Sequence, residues 1–140
     1  MGQIGTEHFS KGVQWSLEFM GMTYVAVGIL FLVNPDWIIL VTNQIFEGRG
    51  WPVVFFPTER FWFALAVTVP GTRAFLVFTA SRRPGEARLC VKVLQTSLAL
   101  AALFFVLQFT FRKHAPLYAL AFFLEAVQVV FYCYLYRKLP

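Results

Sequence analysis

Apolar residues fall into four long runs, each closed by charge, proline or glycine. The first covers about Val13 to Asn34 and stops at Pro35; the second covers about Phe61 to Ala80 and ends in SRRPGE. The third covers about Val91 to Phe111 and is closed by RKH. The fourth opens at Pro116, a favoured first helical residue, and ends near residue 137 in the aromatic-basic run FYCYLYRK. Each run supplies the roughly 20 helical residues that a hydrocarbon core of ~30 Å requires. The pattern predicts an all-α membrane protein: a single-domain, four-transmembrane-helix bundle over residues 1–140.

The segment between the first two runs is too long for a plain turn. In DWIILVTNQIF, Trp37, Val41 and Ile45 recur at a four-residue step, with Ile38 beside them and Asp36 placed as an N-cap. A dozen residues cannot cross a bilayer, so residues 36–46 are expected as a short interfacial helix in the first outer loop. GRGWPVVFFPTER then brings Trp51, Phe55 and Phe56 between prolines, as an interfacial anchor or as a plug over the bundle mouth.

Polar residues inside the runs carry the finer information. In the first run Gln14, Glu18, Gly21, Val25 and Gly28 share a helical face on which small residues follow polar ones, so a neighbouring helix can approach closely. In the fourth, Tyr118, Ala121, Glu125, Gln128, Tyr132 and Tyr136 make a face that is polar along its whole length. The third offers a thinner version in Gln95, Ala99, Ala102 and Val106. These faces predict a buried polar seam.

The second run contains Arg73, in VTVPGTRAFLVF. An arginine at the centre of a membrane helix costs about 2.5–3.5 kcal/mol on insertion scales, so it requires an anion or a route to the interface. Arg73 lies ~10 Å from the nearer end of its run, and two carboxylates, Glu18 and Glu125, lie inside other runs. A guanidinium can hold a carboxylate through two parallel hydrogen bonds. The expected network joins Arg73 to Glu18 and Glu125, extended by Gln128 and Gln95. Tyr118, Tyr132, Gly21 and Thr72 are candidate residues for lining a ligand site beside it. Pro70 removes a backbone donor near the same level, and Thr68 and Thr72 stand ready to satisfy the freed groups. The network reads either as an internal clamp that fixes helix pairing or as a functional site, with Glu125 the deeper carboxylate.

Composition agrees with the pattern. Hydrophobic residues make up 59% of the chain and charged residues 14%, and the mean hydropathy is +0.65. Soluble domains lie near half apolar and a quarter charged, so a bilayer is the environment that can cover this surface. The net charge of +5 does not point to nucleic acid, because the basic residues stand in ones and twos at the ends of apolar runs. Lys11, Arg82, Arg83, Arg88, Lys92, Arg137 and Lys138 fall on one side of a four-span topology. Arg49, Arg60, Arg112 and Lys113 fall on the other. That bias predicts both termini in the cytoplasm.

Other chemistry is thin. Cys90 and Cys133 both fall near the cytoplasmic boundary, where a disulfide is not expected, and read as small core residues. His8 and His114 fall on opposite sides and read as solvated interface residues, so no metal site is expected. The N-terminus lacks the pattern of a cleavable signal, and MGQIGT matches a myristoylation motif only formally.

SLEFMGMTYVAVGILFLVNPDW, then RFWFALAV and RAFLVF, a basic proline-containing loop, and a last run closing in aromatics and Arg-Lys together resemble the small bacterial four-helix membrane proteins of the DoxX-like type. The resemblance implies a compact bundle in a bacterial inner membrane and, for some relatives, an accessory role beside quinone-linked or redox enzymes. The leading expectation is a non-enzymatic accessory or assembly subunit of a larger membrane complex, whose partners are the bilayer and other membrane subunits or further copies of itself. The alternative is an intramembrane binding protein or isomerase for a quinone, sterol or other lipid, with Glu125 as acid or base. No cofactor is required by the sequence, while a quinone, lipid or pigment is compatible with it. A transporter ranks last, because four short spans lack doubled halves and broken helix pairs.

Overall fold

A computed structural model describes residues 10–51, 60–113 and 116–139. The expectations for His8, His114, Phe55 and Phe56 fall outside these residues. Among the described residues every regular element is helical. The helices are α1 (Lys11–Val33), α2 (Pro35–Glu47), α3 (Arg60–Arg82), α4 (Pro84–Gln108) and α5 (Pro116–Tyr136). A π-helical turn, Phe109–Lys113, extends α4. Among the described residues three stretches, Lys11–Val33, Pro84–Phe111 and Tyr118–Tyr136, are long and apolar enough to cross a membrane.

Helix boundaries follow local chemistry, with two departures from expectation. Ser10 caps α1, its side chain accepting from the Val13 amide at 3.4 Å. Asn34 then separates α1 from α2, and Pro35 rather than Asp36 opens α2, so the cap position falls on Asn34, whose side chain makes no capping bond. The second departure lies in SRRPGEARL, expected as a loop over 81–90. Arg83 is the one residue between α3 and α4, and Pro84 starts the new helix with Glu86 in its first turn. Proline supplies a helical φ and loses no bond at that position, and the acid suits the positive helix end.

Packing runs α1 against α3, α3 against α4 and α4 against α5. The α1–α3 contact is antiparallel and close. A Cβ on Gly21 would stand 2.8 Å from the Phe78 ring, and one on Gly28 would stand 3.6 Å from Pro70 Cβ. The core gathers Val13, Leu17 and Tyr24 from α1 with Ala74, Val77 and Ala80 from α3. Ala87, Val91, Leu94 and Leu98 from α4 and Tyr132 and Leu135 from α5 complete it. Spacings of three and four keep each set on one helical face. Leu139 closes the end of this core, and its carbonyl accepts from Arg88 Nη2 at 3.1 Å.

The inward faces differ from expectation on two helices. On α1, Tyr24 is buried while Val25 is exposed. On α4, Leu94 and Leu98 fill the interior while Gln95 is half-buried and Ala99 exposed, so α4 contributes leucine rather than a polar seam. The α5 residues Tyr118, Ala121, Glu125, Gln128, Tyr132 and Tyr136 are all half-buried or buried. Among the side chains described on α2, Trp37 and Ile45 are exposed and Phe46 is buried, with Trp51 packed on it at 5.7 Å; the side chains of Asp36 and Ile38 lie outside those described. Cys90 is buried as a core residue, but Cys133 is exposed, and both thiols are free.

Candidate functional site: a polar cluster inside the bundle

Arg73 is buried between helices, and its Nη1 donates to Glu125 Oε1 at 2.9 Å. The side chains retain 9% and 13% of their surface, so this ion pair acts with little solvent screening. Its members come from α3 and α5, which are not packed neighbours. The pair therefore reaches diagonally across the bundle. The aromatic face of Tyr24, on α1, lies 6.0 Å from the guanidinium carbon, within range of a cation–π contact.

Tyr24 also joins the opposite helix, its hydroxyl donating to Gln128 Oε1 at 2.6 Å. Gln128 Nε2 donates to the Leu124 carbonyl at 3.2 Å, so the amide is held from both ends. Glu125 and Gln128 are three residues apart and share one face of α5. That spacing lets one helix answer both α3 and α1. Tyr132, a further turn along, is wholly buried.

The cluster is incompletely satisfied by the protein. Arg73 Nε, Glu125 Oε2 and the Tyr132 hydroxyl are buried atoms with no hydrogen-bond partner among the described residues. Groups of this kind cost about 1–3 kcal/mol each when nothing answers them. Three in one cluster set this place apart from the rest of the core.

A cleft lies directly beside it. Between α3 and α4, Thr68, Val69, Thr72, Arg73, Leu76, Val93 and Ser97 enclose about 190 Å³. Thr72 donates to the Thr68 carbonyl at 2.8 Å. Ser97 behaves differently from its neighbour Thr96, which donates to the Lys92 carbonyl at 3.0 Å. Ser97 makes no hydrogen bond among the described residues.

Several expected members stand elsewhere. Glu18 is not a partner of Arg73; its Oε1 accepts from Gln14, one turn earlier, at 3.0 Å. The α1–α3 register is the reason: Gly21 stands at Phe78, so Glu18 lies beyond it toward the Arg82 end of α3. Gln95 is turned part-way out and joins no hydrogen bond among the described residues. Gly21 is not part of the cleft lining; the Phe78 ring fills the space before it. Tyr118 is half-buried, nearly two turns from Glu125. Tyr24 is the residue that sequence reasoning missed. Its signal was the Leu17–Gly21–Tyr24–Gly28 spacing of four, three and four, which sets Tyr24 on the same helical face as the two glycines.

No group of three or more potential metal-ligating side chains occurs among the described residues. Compared with known proteins, the chain matches no family model, no curated protein and no solved structure.

Proposed function

We propose that the chain is an integral membrane protein in which α1, α3, α4 and α5 all cross the bilayer, and that it binds a small amphiphilic molecule at the Arg73–Glu125 cluster. Both termini lie on the cytoplasmic side of an inner membrane of the bacterial type, and α2 lies along the opposite surface. The α3 sequence FWFALAVTVPGTRAFLVF and its 23-residue length support the fourth span. Kinship with the DoxX-like four-helix proteins belongs to the same proposal.

The observation that carries the binding reading is the set of unanswered polar atoms around a pair that is otherwise complete. A clamp whose only task was to fix helix pairing needs its hydrogen bonds closed within the protein, since half-satisfied buried networks are costly. Donor and acceptor capacity left over within the cluster, one member of which, Arg73, lines a cleft, suits a polar ligand. The test is native mass spectrometry of the full chain extracted in mild detergent. The expected result is a copurifying lipid-like mass, kept in Glu18→Gln and lost in Glu125→Gln. A wild-type protein that carries no such mass and gains none from added membrane extract would overturn the reading.

A second reading, an accessory subunit of a larger membrane assembly, draws on α5. Phe123, Ala126, Val127 and Val130 border an apolar groove of about 320 Å³ whose small residue, Ala126, leaves room for a ridge on another helix. Copurification of a second membrane protein at fixed stoichiometry, abolished by Ala126→Phe, is the outcome that favours it over the first.

A further inference from the structure

The cleft between α3 and α4 has a chemistry more specific than apolar space. Its walls are Val69, Leu76 and Val93, and its polar lining is Arg73, Ser97 and two threonines. Val93, at the mouth, is 45% exposed, so the cleft opens sideways, between two helices, rather than along the bundle axis. In a four-span protein that opening faces lipid tails, and the molecules that reach it arrive from within the bilayer.

The charge balance then selects among amphiphiles. Arg73 and Glu125 already neutralise each other at 2.9 Å. A second carboxylate or a phosphate would add a net negative charge inside a low-dielectric bundle and compete with Glu125 for the same guanidinium. An ammonium head would face the buried side of Arg73. A neutral head avoids both costs. Glu125 and Tyr132, whose oxygens are also unanswered, do not line the cleft, so the capacity that faces it consists of the Arg73 side chain and the Ser97 hydroxyl. Two N–H and O–H donors call for acceptor oxygens, and a carbonyl is the neutral group that offers them without bringing a donor of its own.

Resting on the ligand-binding reading proposed above, we infer that this cleft admits, sideways from the bilayer, the head of a neutral carbonyl-bearing amphiphile, an acyl ester or a quinone ring, with the Arg73 and Ser97 side chains as donors to its oxygens. A volume of about 190 Å³ accommodates a ring or an ester head, leaving the tail along the outer faces of α3 and α4.

The experiment uses the purified full chain in an alkyl maltoside, with four probes sharing a decyl-length chain: a decyl-substituted benzoquinone, methyl decanoate, decanoate and decanol. Thermal unfolding and native mass spectrometry report binding. The carbonyl probes should bind about 100-fold more tightly than decanoate, which like-charge crowding beside Glu125 disfavours. Whichever of ester and quinone binds better identifies the source as a bilayer lipid or a redox carrier. Val93→Trp, which plugs the mouth from an exposed position, and Ser97→Val should each weaken binding by about tenfold or more. Val127→Trp, in the α5 groove, should leave it unchanged. Decanoate binding as tightly as the carbonyl probes, or Val93→Trp without effect, overturns the inference. If a carbonyl probe still binds Val93→Trp but not Glu125→Gln, the cleft is wrong while the ligand-binding reading stands. If no probe and no lipid binds the wild type, both fall.

Discussion

Tyr24 donates its hydroxyl to Gln128 Oε1 at 2.6 Å, joining the first long helix to the last. Neighbour packing links α1 to α3, α3 to α4 and α4 to α5. The Tyr24–Gln128 bond supplies the return contact, and the Arg73–Glu125 pair crosses beside it. Two polar links therefore hold α5 in place from two directions. Leu135 and Leu139 add the apolar contact at its end.

The diagonal ion pair should show strong coupling. Arg73→Leu leaves a buried carboxylate alone, and Glu125→Leu leaves a buried guanidinium alone; each is expected to cost on the order of 3 kcal/mol. The double replacement should recover at least ~1 kcal/mol relative to the sum of the two. Unfolding in mixed micelles measures all three. Glu18→Gln, whose partner Gln14 is exposed, should fall within about 0.5 kcal/mol of the wild type.

The two buried tyrosines should behave oppositely. Tyr24→Phe removes a short hydrogen bond and leaves the Gln128 oxygen unanswered, which is expected to cost about 1 kcal/mol. Tyr132→Phe removes a hydroxyl that has no protein partner and should be neutral or mildly stabilising. The same micelle titration, run on both variants side by side, checks the contrast.

Two glycines on one helix separate close packing from mere smallness. A Cβ on Gly21 would overlap the Phe78 ring, so Gly21→Ala should destabilise by about 1–3 kcal/mol, with partial rescue by Phe78→Leu. Gly28→Ala meets Pro70 Cβ only at ordinary contact distance, 3.6 Å. It should be neutral or favourable, because alanine is the better helix former by up to about 1 kcal/mol. Thermal unfolding in detergent distinguishes the two.

Orientation is open to direct labelling. In a Cys90→Ala, Cys133→Ala background, cysteines placed at Lys11 and Lys138 should react with an impermeant maleimide only after the membrane is opened. One placed at Arg49 should react in intact cells. Reaction of Lys138→Cys and Arg49→Cys from the same side would contradict four spans.

The helical class and the approximate position of every long helix were legible in the sequence, because apolar runs closed by proline, glycine and basic residues are a strong signal. The α5 face was legible for a related reason: a polar stripe along an apolar helix has few places to point but inward. The α1 face was legible only in part: Gly21 and Gly28 meet α3 as their small size predicts, but the polar end of the stripe does not. Gln14 and Glu18 satisfy each other one turn apart near a helix end, so they need no buried partner, and Tyr24 takes the inward position instead. Which acid meets Arg73 depends on the register of α1 against α3, which the close approach at Gly21 sets. Periodicity within a single helix carries no information about that register. The start of α4 was misplaced because Arg82, Arg83 and Pro84 read as a loop, whereas a proline in the first turn suits a helix that begins at once.

The joint at Arg83 has a further bearing on biogenesis. With one residue between them, α3 and α4 would enter a bilayer as a unit if, as proposed, both cross it. The guanidinium in α3 would then be inside before the ribosome has made the helix carrying its counter-ion. Until α5 emerged, Arg73 would then depend on transient shielding by lipid headgroups, water or insertion machinery. A nascent chain cut short before Glu125 would thus present quality-control proteases with an unneutralised intramembrane cation.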